Sequence, residues 1–213
     1  MLNLIYGDKM LNLYSIGMEK GLLYETIITT KNEKRAPNAA PIGVTCKNKS
    51  EIVLYLFEGT HTLKNIKSDK RFIVNILKDP TIFVESTLGE LTSNSFKKHK
   101  NDFYIKNTDI FFSCKVNNIK EVEKKDNLGK SKLSIITAAP EEIIIKNNIE
   151  PLNRAIFAII ESLVYLSRLN IVDEDTSIEY VERIKEMSKI VSRTGGKNHK
   201  EAMKQILMHL NEK

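Results

Sequence analysis

Two apolar segments, from Ile110 to Val122 and from Lys132 to Ile145, lie on either side of Asp126-Asn127-Leu128-Gly129-Lys130. Asp, Asn and Gly accept the backbone of a tight reversal, so the pair reads as one long antiparallel hairpin. Such a hairpin commits the chain to antiparallel sheet, because its apolar side must be covered by further strands. Candidates are at hand. Leu22 to Thr30 is apolar and β-branched. Asn38 to Val44 holds small residues, with Pro41 marking an edge or an irregular strand start. Ile52 to Phe57 and Phe72 to Leu77 are two more apolar runs. Lys31 to Pro37 reads as a loop, and Lys47-Asn48-Lys49-Ser50 as a hairpin turn. Many antiparallel strands with few, short helices predict a β-barrel. A doubly wound parallel sheet is disfavoured, since Thr62 to Asp69 is the one stretch that could serve as a crossover helix, and it is short.

The remaining pieces fit around that sheet. Met1 to Lys20 reads as a loosely ordered lead-in, with a short helical piece from Leu11 to Ile16 ahead of Gly17. Asp79-Pro80 opens a helix that runs to Leu88 and ends at Gly89. Leu91 to Phe103 is polar and basic and reads as loop with one helical turn. The character changes at Pro151. Ala155, Ile156, Ile159, Ile160, Leu163, Val164 and Leu166 recur at helical spacing. Asp173-Glu174-Asp175 reads as a loop, and Thr176 with Glu179 as a capping box for a helix to Val191. Gly195-Gly196 ends it, and Asn198 with Glu201 opens a last helix through Leu210. The expected division is a barrel over residues 1–148 with its lead-in, then a three-helix region over 149–213.

Of the 213 residues, 28% are charged and 41% hydrophobic, which fits a globular chain. The net charge of +6 and pI near 9.1 favour anionic partners, phosphorylated ligands or nucleic acid, although the lysines are scattered. Cys46 and Cys114 lack metal-ligand or CxxC spacing and read as buried thiols of a reducing cytoplasm. The expected location is cytoplasmic, with no signal peptide and no membrane span: the apolar helix at Ala155 to Leu166 is short and carries Glu161. No metal site is expected, and His99, His199 and His209 read as surface residues.

The stretch from Glu51 to Pro80 carries the chemistry. A strand ends at Phe57, Glu58-Gly59 turns, Thr60-His61-Thr62 follows, and a helix-compatible segment runs from Leu63 to Ile66. A basic link from Lys67 to Arg71 leads into the next strand. Free N–H groups at a helix start attract anions. The Thr hydroxyls, His61 or a nearby Lys add donors and charge, so this turn suits a phosphate monoester. The alternative makes Thr60 an N-cap and His61 a surface side chain.

Three stretches carry a resemblance: NAAPIGV from Asn38 to Val44; FEGTHTLKNIK from Phe57 to Lys67 with FIVNILKDP from Phe72 to Pro80; and PLNRAIFAIIESLVYLSR from Pro151 to Arg168. Together they resemble the archaeal flavoprotein family catalogued as domain of unknown function four-four-seven, a branch of the FMN-binding split barrels. More distantly, Thr60, Thr62, Phe72, Val74 and Asn75 are similar to the phosphate segment of flavin reductases. The resemblance implies a six-stranded split barrel with a helical C-terminal extension, and a homodimer holding FMN at its interface. It implies that Thr60, His61 and Thr62 hold the FMN phosphate, that Asn38, Ala39, Ala40, Pro41 and Ile42 lie along the isoalloxazine edge, and that Asn75 and Ile76 sit near the ribityl chain or ring. Small side chains at 38–40 permit a flat ring to approach. For Asn75 the alternative is a strand Asn that satisfies a neighbouring loop.

Further candidates are Lys34 and Arg35 beside the Asn-Ala-Ala segment, Glu85-Ser86-Thr87 as pocket lining, and Arg154 as a partner for a phosphorylated substrate. For each of them the reading as a solvated or junction residue is favoured. No Ser-His-Asp, Cys-His or paired-carboxylate arrangement stands out, which suits a protein whose flavin carries the redox chemistry. The expected function is an FMN-dependent oxidoreductase of flavin-reductase-like type. The alternatives are a non-catalytic FMN carrier and a basic nucleic-acid binder, the last disfavoured by the lack of aromatic-basic interleaving in the strands.

Overall fold

The structure, a computed structural model, describes residues 12–89, 91–126 and 129–211, without the side chains of 124–126, 129–131 and 211. The lead-in over residues 1–11 and the turn residues Asn127 and Leu128 lie outside the described residues. The chain forms two units, one built on Glu25–Leu152, the other on Asn153–Lys213 together with Gly21–Tyr24.

The first unit is a closed six-stranded barrel, the split-barrel class expected from the sequence. Its strands are β1 (Leu23–Lys31), β2 (Pro37–Asn48), β3 (Glu51–Phe57), β4 (Arg71–Ile76), β7 (Ile110–Asp126) and β8 (Gly129–Ile145), in the order β1-β2-β3-β8-β7-β4. The pairs of β1 with β4, β2 with β3, β3 with β8, β4 with β7 and β7 with β8 are antiparallel. Alternation sets the core. Ile28, Ile52, Leu54, Phe72, Val74, Phe112, Ile136 and Ala138 are buried, while Tyr55 and Phe57, on the other face of β3, are exposed. Each such buried Ile, Leu, Val or Phe side chain contributes about 1.5–3 kcal/mol. The long hairpin accommodates two register shifts, at Ser113/Cys114 and Val116/Asn118. Pro140 stands opposite Cys114 at the first, where a residue without N–H is tolerated.

Several local expectations need correction. The helix after Thr60 is α1 (His61–Asp69), longer than the Leu63-to-Ile66 segment, and most of the expected basic link is helical. Its apolar residues end at Ile66, but Lys67, Ser68 and Asp69 complete the solvent-facing turn before Lys70 closes it in left-handed geometry, φ 56. The expected loop from Leu91 to Phe103 holds a 3₁₀ turn at Ser93–Ser95. It then enters a separate two-stranded sheet of β5 (Phe96–His99) and β6 (Asp102–Ile105). Charged residues masked the period of two there. His99 is partly buried, with Nε2 3.0 Å from Glu142 and its ring edge-on to Phe111. The helix α2 (Pro80–Leu88) starts on an Asp79 cap, and Gly89 follows it with φ 77.

The second unit packs α3 (Arg154–Leu166), α4 (Glu174–Thr194) and α5 (Lys197–Asn211) around Ala155, Ala158, Ile159, Ile184, Val191, Met203 and Ile206. Asn153 caps α3, its Oδ1 accepting from the Ala155 amide, while its Nδ2 donates to the carbonyls of Leu23 and Thr194. The expected capping boxes at Thr176 and Asn198 both fall inside helices. Asp173 is the actual cap of α4, accepting from the Thr176 amide at 2.9 Å, so Glu174 and Asp175 are helical. The α5 helix begins at Lys197, and His199 Nδ1 accepts from the Gly196 amide, so His199 is also not a free surface residue. Among the described residues no helix is long and apolar enough to cross a membrane.

Both cysteines are buried and free. Burial pushes the Cys46 thiol up to about 11 and raises Cys114 well above its ordinary value, with the charge of Glu141 adding to the latter. The thiolate attacks disulfides, so Ellman's reagent at pH 7.5 is expected to label the native protein more slowly than an ordinary thiol by over roughly a hundredfold. Unfolding should release both. Rapid labelling of either cysteine in the folded chain would contradict the strand register that buries them.

Candidate functional site

The turn between β3 and α1 is built by backbone rules. Gly59 has φ 84, a conformation that side chains rarely adopt, and it reverses the chain after Phe57. Thr60 then caps α1: its Oγ1 accepts from the Leu63 amide at 3.3 Å and donates to the Phe57 carbonyl at 3.1 Å. The structural alternative for Thr60 therefore holds, and it does not exclude an anion, because the cap leaves the amides of the first turn facing outward. His61 is exposed, and Thr62 is buried with its Oγ1 accepting from Asn38 Nδ2 at 3.3 Å. A hydroxyl that accepts still carries a hydrogen to donate. Nearby cations are engaged to different degrees. Lys67 bridges Glu58 and Glu121 at 2.7 and 2.9 Å, which raises its pKa, while Lys64 makes an exposed 3.3 Å pair with Glu33.

The Asn38–Thr62 hydrogen bond joins the helix start to the first residues of β2. From Pro37 to Gly43 that strand shows no alternation: every residue is half-buried. Beside it α2 packs on β2, and Pro41, Phe83, Val84, Thr87 and Leu88 line a shallow cleft of about 240 Å³. Val84 and Leu88 are 55% and 64% exposed, so the walls present apolar surface to solvent. The barrel thus brings together a donor-rich helix start, a strip of small residues and an apolar cleft. That combination can hold a ligand with an anionic tail and a flat apolar head.

Two of the expected contact residues are engaged within the protein itself. Asn75 is fully buried, and its amide is committed to protein: Nδ2 donates to the Ile27 carbonyl at 2.9 Å and to Thr29 Oγ1 at 3.1 Å, and Oδ1 accepts from the Ile105 amide at 2.8 Å. Ile76 is likewise buried, and its carbonyl accepts from Thr108 Oγ1 and the Asp109 amide. The alternative that Asn75 satisfies a neighbouring segment is the one its geometry fits. Lys34 and Arg35 lie in the exposed β1–β2 turn, with Arg35 at φ 62. Of Glu85-Ser86-Thr87, Thr87 lines the cleft, whereas Ser86 is buried and donates to the Phe83 carbonyl. Phe83, Val84 and Leu88 were not singled out from the sequence. The available signal was that α2 carries apolar residues on more sides than one core can cover. Arg154 opens α3 in the second unit. Among the described residues no group of three or more His, Cys, Asp and Glu could hold a metal ion.

Comparison with known proteins gives the same frame. An uncharacterized protein of Methanocaldococcus jannaschii, MJ1453, is 32% identical over 196 residues, covering 89% of this chain and 99% of that one. Among solved structures, an FMN-bound protein from Methanosarcina mazei, MM1853, aligns with a TM-score of 0.53 at 28% identity, covering 92% of this chain and 98% of that one. Flavin reductase PheA2 in its native state aligns over 62% of this chain and 85% of that one, at 22% identity and a TM-score of 0.48. The family descriptions "Protein of unknown function (DUF447) N-terminal domain" and "Protein of unknown function (DUF447)" match residues 24–147 and 153–208. With both matches in chain order and spanning barrel and helices alike, this chain belongs to the DUF447 family.

Proposed function

We propose that this chain is an FMN-binding flavoprotein and that it works as an oxidoreductase of flavin-reductase-like type. The observation that carries the reading is the Asn38–Thr62 hydrogen bond. It ties the helix start that suits a phosphate to the strip of small residues that suits a flat ring. Support comes also from the FMN-bound relative of Methanosarcina mazei, which aligns over nearly the whole of both chains. In this reading the amides at the start of α1 and the Thr62 hydroxyl hold the phosphate, with His61 beside them, and Thr60 joins by turning its hydroxyl hydrogen from the Phe57 carbonyl to the ligand. Asn38, Ala39, Ala40, Pro41 and Ile42 border the isoalloxazine. Asn75 and Ile76 make no flavin contact.

When bound, FMN supplies hydride and single-electron transfer. The chain's own part is to bind and orient. Small side chains at 38–40 let backbone groups approach a ring edge, and Phe83, Val84 and Leu88 keep water from one side of the cleft. The reading also includes a cytoplasmic homodimer with FMN at the subunit interface, which would cover the exposed apolar surface of Val84 and Leu88.

Purified protein reconstituted with FMN should hold it stoichiometrically, seen as flavin absorbance that survives gel filtration. Anaerobic bleaching by NADH or NADPH, followed by reoxidation with an added acceptor, is the result expected of an oxidoreductase. Stoichiometric FMN that neither nicotinamide bleaches would favour the carrier instead. Protein that stays colourless after soaking in excess FMN ends the reading.

A further inference from the structure

The β5–β6 hairpin joins the barrel without a backbone ladder: among the described residues its strands pair only with each other. Side chains from the barrel hold it: Phe111 on β7 stacks on Tyr104, Glu142 on β8 meets His99 and Lys100, and β1 and β4 supply the buried polar contacts. Thr29 Oγ1 donates to the Phe103 carbonyl at 2.5 Å, and Lys31 Nζ reaches the Asn101 carbonyl at 2.9 Å and Asp102 Oδ1 at 2.8 Å. Arg71 Nε lies 3.4 Å from Asp102 Oδ2. Deepest in this row is Asn75, whose Oδ1 takes the Ile105 amide while its Nδ2 binds Ile27 and Thr29 on β1. Only an amide side chain offers donors and an acceptor together at this reach; Asp lacks the donors and Leu lacks both. Ile105 in turn forms a buried cluster with Ile27, Leu77 and Ile82, against which Ala39 and Phe83 pack. Phe83 is also a wall of the cleft beside Pro41.

We infer that Asn75 is a positioning residue for the flavin ring: by fixing the Ile105 amide it seats the β5–β6 hairpin behind Ala39 and Phe83 and so sets the wall of the cleft. This rests on the FMN reading above. Asn75 acts through the hairpin and not through the phosphate turn, so its loss is felt at the ring end of the ligand. Riboflavin, which carries the ring without the phosphate, separates the two ends.

The test measures FMN and riboflavin binding by full-length wild type, Asn75→Leu, Thr29→Val, Thr29→Ser and the Thr60→Ala/Thr62→Ala double variant, with amide hydrogen exchange at Ile105. Asn75→Leu and Thr29→Val are expected to weaken both flavins by the same factor, roughly tenfold or more, and to speed Ile105 exchange. Thr29→Ser keeps the hydroxyl and should restore binding to near the wild-type value. The double variant should weaken FMN by a larger factor than riboflavin, since only FMN carries the phosphate. If Asn75→Leu fails to fold, Thr29→Val decides on the same criteria. Faster Ile105 exchange with unchanged flavin binding overturns the inference, and so does loss of FMN without loss of riboflavin. If the wild-type chain binds neither flavin, the FMN reading itself has failed, a result read without any substitution.

Discussion

Replacing Thr60 and Thr62 together by alanine is expected to weaken FMN binding by at least roughly tenfold, since hydrogen bonds to charged groups contribute about 1.5–3 kcal/mol each. Thr62 is the cleaner half of the pair. Its side chain is buried, its one described bond is accepted from Asn38, and its loss also releases the Asn38 amide. Thr60 has a second role, because its Oγ1 caps the Leu63 amide. Removing that cap costs about 1 kcal/mol of helix stability whatever the ligand does. A Thr60→Ser control keeps cap and hydroxyl and so accounts for the lost methyl, while the Thr62→Ala single variant tests a lost donor with the cap intact. Isothermal titration with FMN at fixed ionic strength is the measurement. Wild-type affinity in the double variant would remove this turn from the site.

The fold was legible wherever an apolar run stood between turn signals. Ile52 to Phe57 falls within a residue of β3, where alternate residues enter the core, and Phe72 to Leu77 falls within a residue of β4, which is buried on both faces. The β5–β6 hairpin was missed because Lys97, Lys98 and Lys100 flank His99, and the apolar partners of Phe96 and Ile105 lie elsewhere in the sequence, at Ile27, Leu77 and Ile82. The starts of α4 and α5 were misplaced because several cap-type residues stand in a row, and sequence alone does not decide between Asp173 and Thr176. At the site the same division holds. Gly59, Thr60 and Thr62 could be found because local backbone chemistry marks a helix start. Phe83, Val84 and Leu88 could not be singled out, since their place beside Pro41 depends on how α2 packs on β2. Asn75 shows the limit most plainly. A motif resemblance placed it near the flavin, whereas its three hydrogen bonds are long-range contacts to Ile27, Thr29 and Ile105 that no local pattern encodes.

Phe112→Ala should be the most damaging single change to the barrel. Phe112 is 0% exposed and lies opposite Val74 on β4 and Ile143 on β8, so closed sheet surrounds the ring and cannot collapse into the space left. Truncating a buried Phe costs about 3–5 kcal/mol, a large share of the 5–15 kcal/mol that holds a typical domain together. Phe57→Ala removes the same atoms from a side chain that is 58% exposed on the outer face of β3, and should cost under about 1 kcal/mol. Urea unfolding followed by circular dichroism would measure both. Because Phe112 is no part of the cleft, the folded fraction of Phe112→Ala should keep wild-type FMN affinity below its melting temperature. Equal, small losses from the two substitutions would mean that β7 does not face its even-numbered residues inward at this point. The barrel would then be in another register, and the approach of β2 to α1 on which the flavin site depends would have to be rebuilt with it.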